Sequence, residues 1–234
     1  MRLHRFFINE KIGDEKNKTI VSEDLVNQIK KVFRFKTGDR VILFDNSGYE
    51  YITIITNILK DNISFNIEQS IDKKDLNNKK TYLFASLVKK DTFEWIVEKA
   101  TELGVSDIVP VMSTRSEKKN INEERLNKIS IEASEQSGRV YTPNIHNIKD
   151  FSSCFDFIKE NKIRAIAFHT KGEPYMLDKA SIDMLPYNAV FIGPEGGYTD
   201  EEIQEFKENN IPVYKLGEQI LRSETAVVVA LTKI

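Results

Sequence analysis

A short polar stretch divides this chain of 234 residues into two parts with different hydrophobic patterns. The stretch Asp72–Lys80 contains one apolar residue in nine, which is typical of a linker or a domain boundary. We therefore predict one domain over residues 1–72 and a second over residues 73–234. Hydrophobic residues make up 40% of the chain, and this fraction excludes wholesale disorder.

The N-terminal part has the pattern of a small β-barrel. Its predicted strands are rich in β-branched and aromatic residues and cover Arg5–Ile8, Arg40–Phe44, Tyr49–Ile58 and Ile63–Ile67. One helix is predicted after Ser22, a good N-cap, because apolar residues recur at helical spacing between Leu25 and Phe33. Strands of this length in about 70 residues favour a barrel.

Strands and helices alternate in the C-terminal part. The predicted strands are Tyr82–Val88, Asp107–Val111, Arg164–Phe168, Ala189–Ile192 and Val213–Leu216, and the predicted helices are Asp91–Leu103, Asn122–Ser137, Asp150–Glu160 and Thr199–Glu208. The last segment is ambiguous: Ser223 is a possible helix cap, whereas Val227–Val229 favours a strand. This alternation predicts an α/β domain with a largely parallel sheet, whose ligands bind beyond the carboxyl ends of the strands.

Composition narrows the possible partners and settings. The net charge of −2 gives no general affinity for a polyanion, so any nucleic-acid site is a local patch. The single cysteine, Cys154, excludes an intrachain disulfide and indicates a reducing, cytoplasmic setting. We expect Cys154 to be a small helix-face residue and Trp95 to lie in the core. The sequence has no apolar run of about 20 residues and no metal-ligand spacing, and we expect its N-terminus not to be a signal peptide.

The first candidate ligand loop follows the predicted strand Ala189–Ile192. Its sequence is Gly193-Pro194-Glu195-Gly196-Gly197, ahead of a helix whose predicted N-cap, Thr199, forms a capping box with Glu202. The glycines permit close approach to backbone amides, although a plain strand-to-helix turn has the same pattern. The loop has neither a Walker ending nor dinucleotide-site spacing. Glu195 disfavours a polyphosphate and favours a ligand with positive charge or sugar hydroxyls.

A second loop leads into a charged quartet. Leu216-Gly217-Glu218-Gln219-Ile220-Leu221 is followed by Arg222-Ser223-Glu224-Thr225-Ala226. The plain interpretation is a helix start, with Glu224 near the helix N-terminus and Arg222 as a surface cation. However, apolar residues surround this arginine in a chain with 9 Arg and 25 Lys. Because both loops leave the carboxyl ends of predicted strands, we predict one small-molecule pocket between them.

A third cluster, Glu132–Arg139, places Gln136 and Arg139 at the end of a predicted helix. There a cation also interacts well with exposed carbonyl groups, so a structural role is equally consistent.

Four strings in this order are similar to those of one family: EKATELGV (Glu98–Val105), EASEQSGR (Glu132–Arg139), IGPEGGYT (Ile192–Thr199) and LGEQILRSETA (Leu216–Ala226). With RFF at Arg5–Phe7, they make the whole chain resemble the RsmE family of SPOUT-class methyltransferases. One departure is Glu218-Gln219, where that family more often has Pro-Arg. This difference puts one possible RNA or phosphate contact in doubt.

The resemblance implies a PUA-like, RNA-binding barrel and an α/β domain tied in a trefoil knot. The pattern alone predicts an unknotted, Rossmann-like sheet, since knots are rare. The resemblance also implies a homodimer that binds S-adenosylmethionine with its knot loops and uses no metal. The expected reaction is methylation of N3 of one uridine, at position 1498 of 16S rRNA, in the small ribosomal subunit.

Chemistry and resemblance together give candidate roles to individual residues. The candidate catalytic residues are Arg139, Arg222 or both, with Glu224 to hold an arginine in place or to accept the proton through water. The candidate cofactor-binding residues are Gly193, Pro194, Glu195, Gly196, Gly197, Leu216, Gly217, Ile220, Leu221, Arg222, Thr225 and Ala226. The candidate RNA contacts are Arg2, Arg5, Phe7, Gln136 and Arg139. For the first three the basis is an excess of cations near the N-terminus, and a solvated face over buried aromatic residues is equally consistent. The chemistry agrees, because Glu195 tolerates a cationic sulfonium and an arginine favours the anion of a uridine that has lost its N3 proton.

The sequence is also consistent with two other functions. One is a non-catalytic RNA-binding module, and the other is a SPOUT enzyme that modifies another RNA, such as a tRNA. The intact GPEGG and LRSET loops disfavour the first. The RFF and EQSGR segments favour rRNA by resemblance alone.

Overall fold

The structure, a computed structural model, describes residues 3–74, 80–117, 119–174 and 188–234. The contacts divide the chain into two units, one of residues 1–78 with 134–142 and the other of residues 79–133 with 143–234. The segment Ser134–Thr142 thus groups with the N-terminal unit, although its position in the sequence assigns it to the C-terminal domain.

A five-stranded sheet forms the N-terminal unit. In chain order its strands are β1 (Arg5–Phe7), β2 (Asn17–Val21), β3 (Arg40–Phe44), β4 (Tyr49–Ile58) and β5 (Asn62–Asp72). The order across the sheet is β1-β3-β4-β5-β2, with β1 parallel to β3 and the other pairs antiparallel. Register shifts in the β4–β5 pair bend the sheet. Helix α1 (Glu23–Asn27) continues as a π-helical turn over Gln28–Val32.

The last turn of helix α3 (Glu123–Ser137) packs on this sheet. The carboxylate of Glu135 accepts hydrogen bonds from the backbone N–H of Phe7, at 2.9 Å, and from the amide of Gln28, at 3.3 Å. In addition, Thr142 exchanges two hydrogen bonds with the side chain of Asn46. These polar contacts explain why the segment groups with residues distant in sequence.

The C-terminal unit is built on a parallel sheet. Its strands are β6 (Tyr82–Ser86), β7 (Asp107–Met112), β8 (Asn144–Ile145), β9 (Lys149–Asp150), β10 (Ala165–Pro174), β11 (Ala189–Ile192) and β12 (Val213–Lys215). They follow the order β12-β10-β11-β6-β7-β8, and β9 also pairs with β7. The remaining helices are α2 (Lys90–Glu102), α4 (Ser153–Glu160), α5 (Asp200–Glu208) and α6 (Ser223–Leu231).

Alternate residues of the strands supply two separate cores, one on each face of the sheet. Helices α2 and α6 cover one face, and α4 and α5 cover the other. The prediction for Cys154 is confirmed: it is fully buried on α4, and burial raises the pKa of its thiol to about 12. The prediction for Trp95 is wrong, because its side chain is 39% exposed beside the buried stripe that includes Phe93 and Ile96.

The ambiguous C-terminal segment is helix α6. Val227 and Ala230 are fully buried in the core shared with α2, so packing overrides the β propensity of the valines. The N-cap is Arg222, not Ser223. The hydroxyl of Ser223 instead donates to the carbonyl oxygen of Gly193, at 2.8 Å.

No helix in the described ranges is long and apolar enough to cross a membrane. A search of the same residues for groups of at least three His, Cys, Asp or Glu that could hold a metal ion found none.

A buried carboxylate at the amino end of β7 makes stability depend on pH. Asp107 Oδ1 lies 2.8 Å from His146 Nε2 and accepts a hydrogen bond from Asn144, at 3.3 Å. Burial raises the pKa of this carboxyl, but the bonds to His146 and Asn144 outweigh it and lower the pKa overall. Because the folded-state pKa lies below the unfolded value, the stabilisation is present above the unfolded pKa and is lost as the pH falls through the folded pKa.

We therefore expect Asp107→Asn to destabilise the fold by about 1–3 kcal/mol at pH 7, the cost of an impaired buried hydrogen bond. The difference from the parent protein should shrink below about pH 4, where the unfolded-state carboxyl becomes protonated. Urea denaturation at both pH values measures it. An equal difference at the two pH values would contradict this account.

Candidate functional site

Two loops at the carboxyl ends of β11 and β12, together with the middle of β10, surround a cavity of about 370 Å³, called the first cavity. The lining comes from Phe168–Lys171 of β10, from the glycine loop (Gly193–Gly197) and from the second loop (Leu216–Arg222), of which Glu218 and Arg222 are not lining residues. Ser223 and Ala226 of α6 complete this wall. The position agrees with the rule that parallel sheets bind ligands beyond the carboxyl ends of their strands.

The glycine loop is held in a tight turn that leads directly into α5. The N–H of Gly197 donates to the carbonyl oxygen of Pro194, at 2.8 Å, and Gly197 has a φ of +67° that disfavours other residues. Thr199 and Glu202 form the predicted capping box at the start of α5. This cap fixes the direction in which the chain leaves the loop.

The loop after β7 forms hydrogen bonds that hold the glycine loop and the start of α5. Arg115 Nη1 donates to the carbonyl oxygen of Gly196, at 2.7 Å. The N–H of Thr114 donates to Glu202 Oε1, at 2.8 Å, while Glu202 Oε2 accepts from Thr199. The buried carboxylate of Glu202 thus links the cap of α5 to the loop after β7.

The hydroxyl of Ser223 connects helix α6 to the glycine loop at the first cavity. The bond from Ser223 Oγ to the Gly193 carbonyl ties the start of α6 to the glycine loop. Within the second loop, Ile220 is 85% exposed although it is a large apolar residue. Its side chain contributes to the rim of the cavity rather than to the protein core.

Most of the candidate cofactor-binding residues line the first cavity. These are Gly193, Pro194, Glu195, Gly196, Gly197, Leu216, Gly217, Ile220, Leu221 and Ala226. Two others, Arg222 and Thr225, are exposed and are not among the lining residues. Four further lining residues were not predicted from the sequence: Arg115, Phe168, Thr170 and Lys171. Of these, Phe168 ends a predicted strand.

His169 also lines the first cavity. Its Nδ1 accepts a hydrogen bond from the N–H of Lys171, at 3.1 Å, so the proton of the neutral ring is on Nε2. Burial, together with the charges of Lys171 and Arg115, lowers the pKa of His169 below its usual range. The ring is therefore neutral at pH 7.

The three candidate catalytic residues fall in different units. Arg222 is exposed at the start of α6, and Glu224 is half-buried in the first turn of that helix. Arg139 belongs to the N-terminal unit and is half-buried. Burial lowers the pKa of Arg139 to about 10, which leaves the guanidinium charged at neutral pH.

Arg5 is largely buried within the N-terminal unit, and its role as an RNA contact stays a prediction. It is only 9% exposed, forms an ion pair with Glu50, and donates to the carbonyl oxygen of Arg139, at 2.8 Å. Its partners are 45 and 134 residues away in sequence, so no local pattern reveals its burial.

The remaining candidate RNA contacts differ in exposure. Phe7 is half-buried against Phe44, with 5.5 Å between the ring centroids, and Gln136 is exposed. Arg2 lies outside the described residues.

Fold and site together define the class as RNA methyltransferases of the SPOUT type with a PUA-like sheet. The family model described as RNA methyltransferase domain matches residues 75–234, and that described as RNA methyltransferase PUA domain matches residues 22–68. The chain belongs to the ribosomal RNA small subunit methyltransferase E family, the RsmE family. The resemblance and fold class from sequence are thus confirmed, while the trefoil knot stays a prediction.

Two relatives named ribosomal RNA small subunit methyltransferase E illustrate the similarity. The protein from Rickettsia conorii is 30% identical over 237 residues, covering 100% of this chain and 96% of the relative. That from Bacillus subtilis is 30% identical over 247 residues, covering 99% of this chain and 96% of the relative.

Two solved structures share the fold and hold a ligand. The Neisseria gonorrhoeae ribosomal RNA small subunit methyltransferase E, bound to S-adenosyl methionine, superposes with a TM-score of 0.83 at 26% identity, covering 99% of this chain and 96% of that one. A Legionella pneumophila putative methyltransferase with the bound cofactor SAM gives a TM-score of 0.85 at the same identity and coverage.

Proposed function

We propose that this chain transfers the methyl group of S-adenosylmethionine to N3 of one uridine of 16S rRNA in the small ribosomal subunit. The observation that carries the proposal is the first cavity, where the glycine loop and the second loop meet at the strand ends. Family membership and the cofactor-bound relatives support it.

The residues of the first cavity fit the proposed cofactor. A Cβ atom at Gly196 would lie 3.2 Å from Arg115 Cδ, and one at Gly197 would lie 3.2 Å from His169 Nε2. The loop therefore leaves backbone exposed where side chains have no room, which suits hydrogen bonds to adenine and ribose. Leu216 and Leu221 offer apolar surface to the adenine, and Glu195 offers a carboxylate that tolerates positive charge.

When bound, S-adenosylmethionine supplies a methyl group on a positively charged sulfur. The protein has to orient the uridine and promote loss of its N3 proton, since the imide is a weak acid. Arg139 and Arg222 are the proposed cations that stabilise the resulting negative charge on the uracil. Glu224 holds one of the arginines in place or accepts the N3 proton through a water molecule.

In this proposal the two domains have different roles. Residues 1–72 bind RNA, and residues 73–234 carry the cofactor site and the chemistry. Exposed Gln136 and half-buried Arg139, next to the N-terminal sheet, supply RNA contacts from the segment that groups with it. A ribosomal substrate places the protein in the cytoplasm.

We further propose that the active form is a homodimer. Helix α6 has half-buried Val228 and Val229. The adjoining helix α2 exposes Trp95 at 39%, and Leu103, directly after α2, is 42% exposed. Apolar surface of this kind on a soluble domain marks an interaction site.

Light scattering at micromolar concentration should accordingly give about twice the chain mass of 27.0 kDa. We expect Val229→Glu to shift the mass toward the monomer, because it places a charge in the interface. Lys207→Glu on α5 serves as the charge-changing control and should leave the mass unchanged. A monomeric mass for the parent protein would overturn the dimer.

The function is tested by mapping methylated nucleotides in RNA from a strain that lacks this gene. We expect one N3-methyluridine to disappear from 16S rRNA and to return when the gene is restored. Loss of a methyl group from a tRNA would identify a different RNA substrate. Unchanged modification in all RNA would favour the non-catalytic alternative.

A further inference from the structure

A second cavity, of about 260 Å³, lies in the C-terminal unit outside the site described above. Its floor consists of Leu87, Val88, Phe93 and Leu126, none of which is more than 3% exposed. Its rim includes Lys90, Asn120 and Asn122, all exposed, so the cavity opens to solvent. An apolar floor with a few polar groups at the rim is typical of small-ligand sites.

The second cavity lies at the same edge of the sheet as the first. Leu87 and Val88 directly follow β6, and Asn120–Asn122 belongs to the loop after β7. In the sheet order β12-β10-β11-β6-β7-β8, the strands below the two cavities are adjacent. Arg115, in the same loop after β7, lines the first cavity and contacts the glycine loop. One loop therefore contributes to both cavities.

We infer that the second cavity receives one unstacked nucleobase of the RNA substrate. The inference rests on the proposed function, because a methyltransferase that acts on a base has to hold nucleotides out of their stack. Its mixture of apolar floor and rim amides suits this ligand. Leu87, Phe93 and Leu126 can contact a base, and the amide of Asn120 can donate to and accept from its edge. The side-chain oxygen of Asn122 accepts the N–H of Arg125, at 3.0 Å, so this residue offers its NH₂ group as a donor.

The rim of the second cavity carries charges of both signs. Glu94 is the carboxylate among the lining residues, and it pairs with Lys90 at 3.7 Å and with Arg125 at 3.2 Å. Along the chain, Lys119 lies next to Asn120, whereas Glu123 and Glu124 follow Asn122. Lys90 and Arg125 are the cations of this cluster that can meet the phosphate accompanying a base.

Blocking the cavity tests the inference. Asn120 is exposed at the rim, so Asn120→Trp should fill the opening without disturbing the buried floor. We expect the KM for small ribosomal subunits to rise by about tenfold or more, as expected for loss of one base contact. Cofactor affinity, measured by calorimetry, should change less than twofold. Gln204→Trp on exposed α5 is the matched control and should behave as the parent protein.

Photo-cross-linking gives a readout that does not depend on turnover. The probe is a short single-stranded RNA copying the target region with 4-thiouridine at successive positions. Cross-links to Lys90–Glu94 or to Lys119–Leu126 support the inference. It is overturned if these segments remain unlabelled, or if Asn120→Trp leaves the KM unchanged in a protein that methylates subunits. If the parent protein methylates no RNA, the proposed function fails and the inference fails with it.

Discussion

Replacing Arg139 or Arg222 with alanine is expected to slow methylation of small ribosomal subunits by about 100-fold, as does loss of one oxyanion donor. Both arginines keep a charged guanidinium at neutral pH. A fixed cation stabilises the uracil anion once N3 has lost its proton, so its removal acts on the transition state. Because neither residue lines the first cavity, the proposed catalytic role predicts a fall in rate without an equal fall in cofactor binding.

Single-turnover methylation with each variant, alongside calorimetry of cofactor binding, measures this effect. Cofactor affinity should change little for Arg139→Ala, whereas Arg222→Ala should lower it as well, because Arg222 directly follows the second loop. Arg164→Ala is the matched control, since Arg164 is half-buried like Arg139, directly precedes β10 and lines neither cavity. Full activity in both single variants and in the double variant would falsify the catalytic assignment.

The second large effect is expected for Gly196→Val, which should weaken binding of S-adenosylmethionine by about 10- to 100-fold. A Cβ atom at this position lies 3.2 Å from Arg115 Cδ and 3.4 Å from Arg115 Cβ. A branched side chain therefore has to displace the arginine that braces the loop, or occupy the cavity itself. Overpacking of this kind costs about 1–3 kcal/mol, and each 1.4 kcal/mol is tenfold in affinity.

Calorimetry of the cofactor with Gly196→Ala and Gly196→Val checks the expected order. The alanine variant adds a single carbon and should lose less affinity than the valine variant. Thermal unfolding of each variant serves as the control for folding, and the midpoints should stay within a few degrees of the parent protein. Unchanged affinity in a folded Gly196→Val protein would place the cofactor elsewhere.

Local patterns predicted several strands of both sheets. The strands β3, β4 and β11 begin and end at the predicted residues, because their β-branched and aromatic runs are bounded by turn residues. Strand β10, by contrast, extends six residues beyond the predicted end at Phe168. The capping box of Thr199 and Glu202 could also be predicted from the sequence, because both partners lie within one helical turn. Strand β2 was missed because Ile20 is its single buried residue, which leaves little alternation to detect.

Contacts between distant parts of the chain could not be read from the sequence. Arg115 reaches a carbonyl 81 residues away, and Arg5 pairs with Glu50 after 45 residues. Both are charged residues whose local surroundings indicate an exposed surface. Likewise, the burial of Val227 in the shared core decides that α6 is a helix. Tertiary packing and pairing between distant residues thus determine these contacts and the helical state of α6, which local propensity does not predict.

The central claim is tested most directly by transfer of a labelled methyl group to isolated small ribosomal subunits. The purified chain, S-adenosylmethionine labelled in its methyl group and subunits from a strain lacking this gene are incubated, and the 16S rRNA is digested to nucleosides. The account predicts that the label appears as N3-methyluridine from a single position of that RNA. Label in another nucleoside, or no transfer to 16S rRNA by a protein that binds the cofactor, would contradict it.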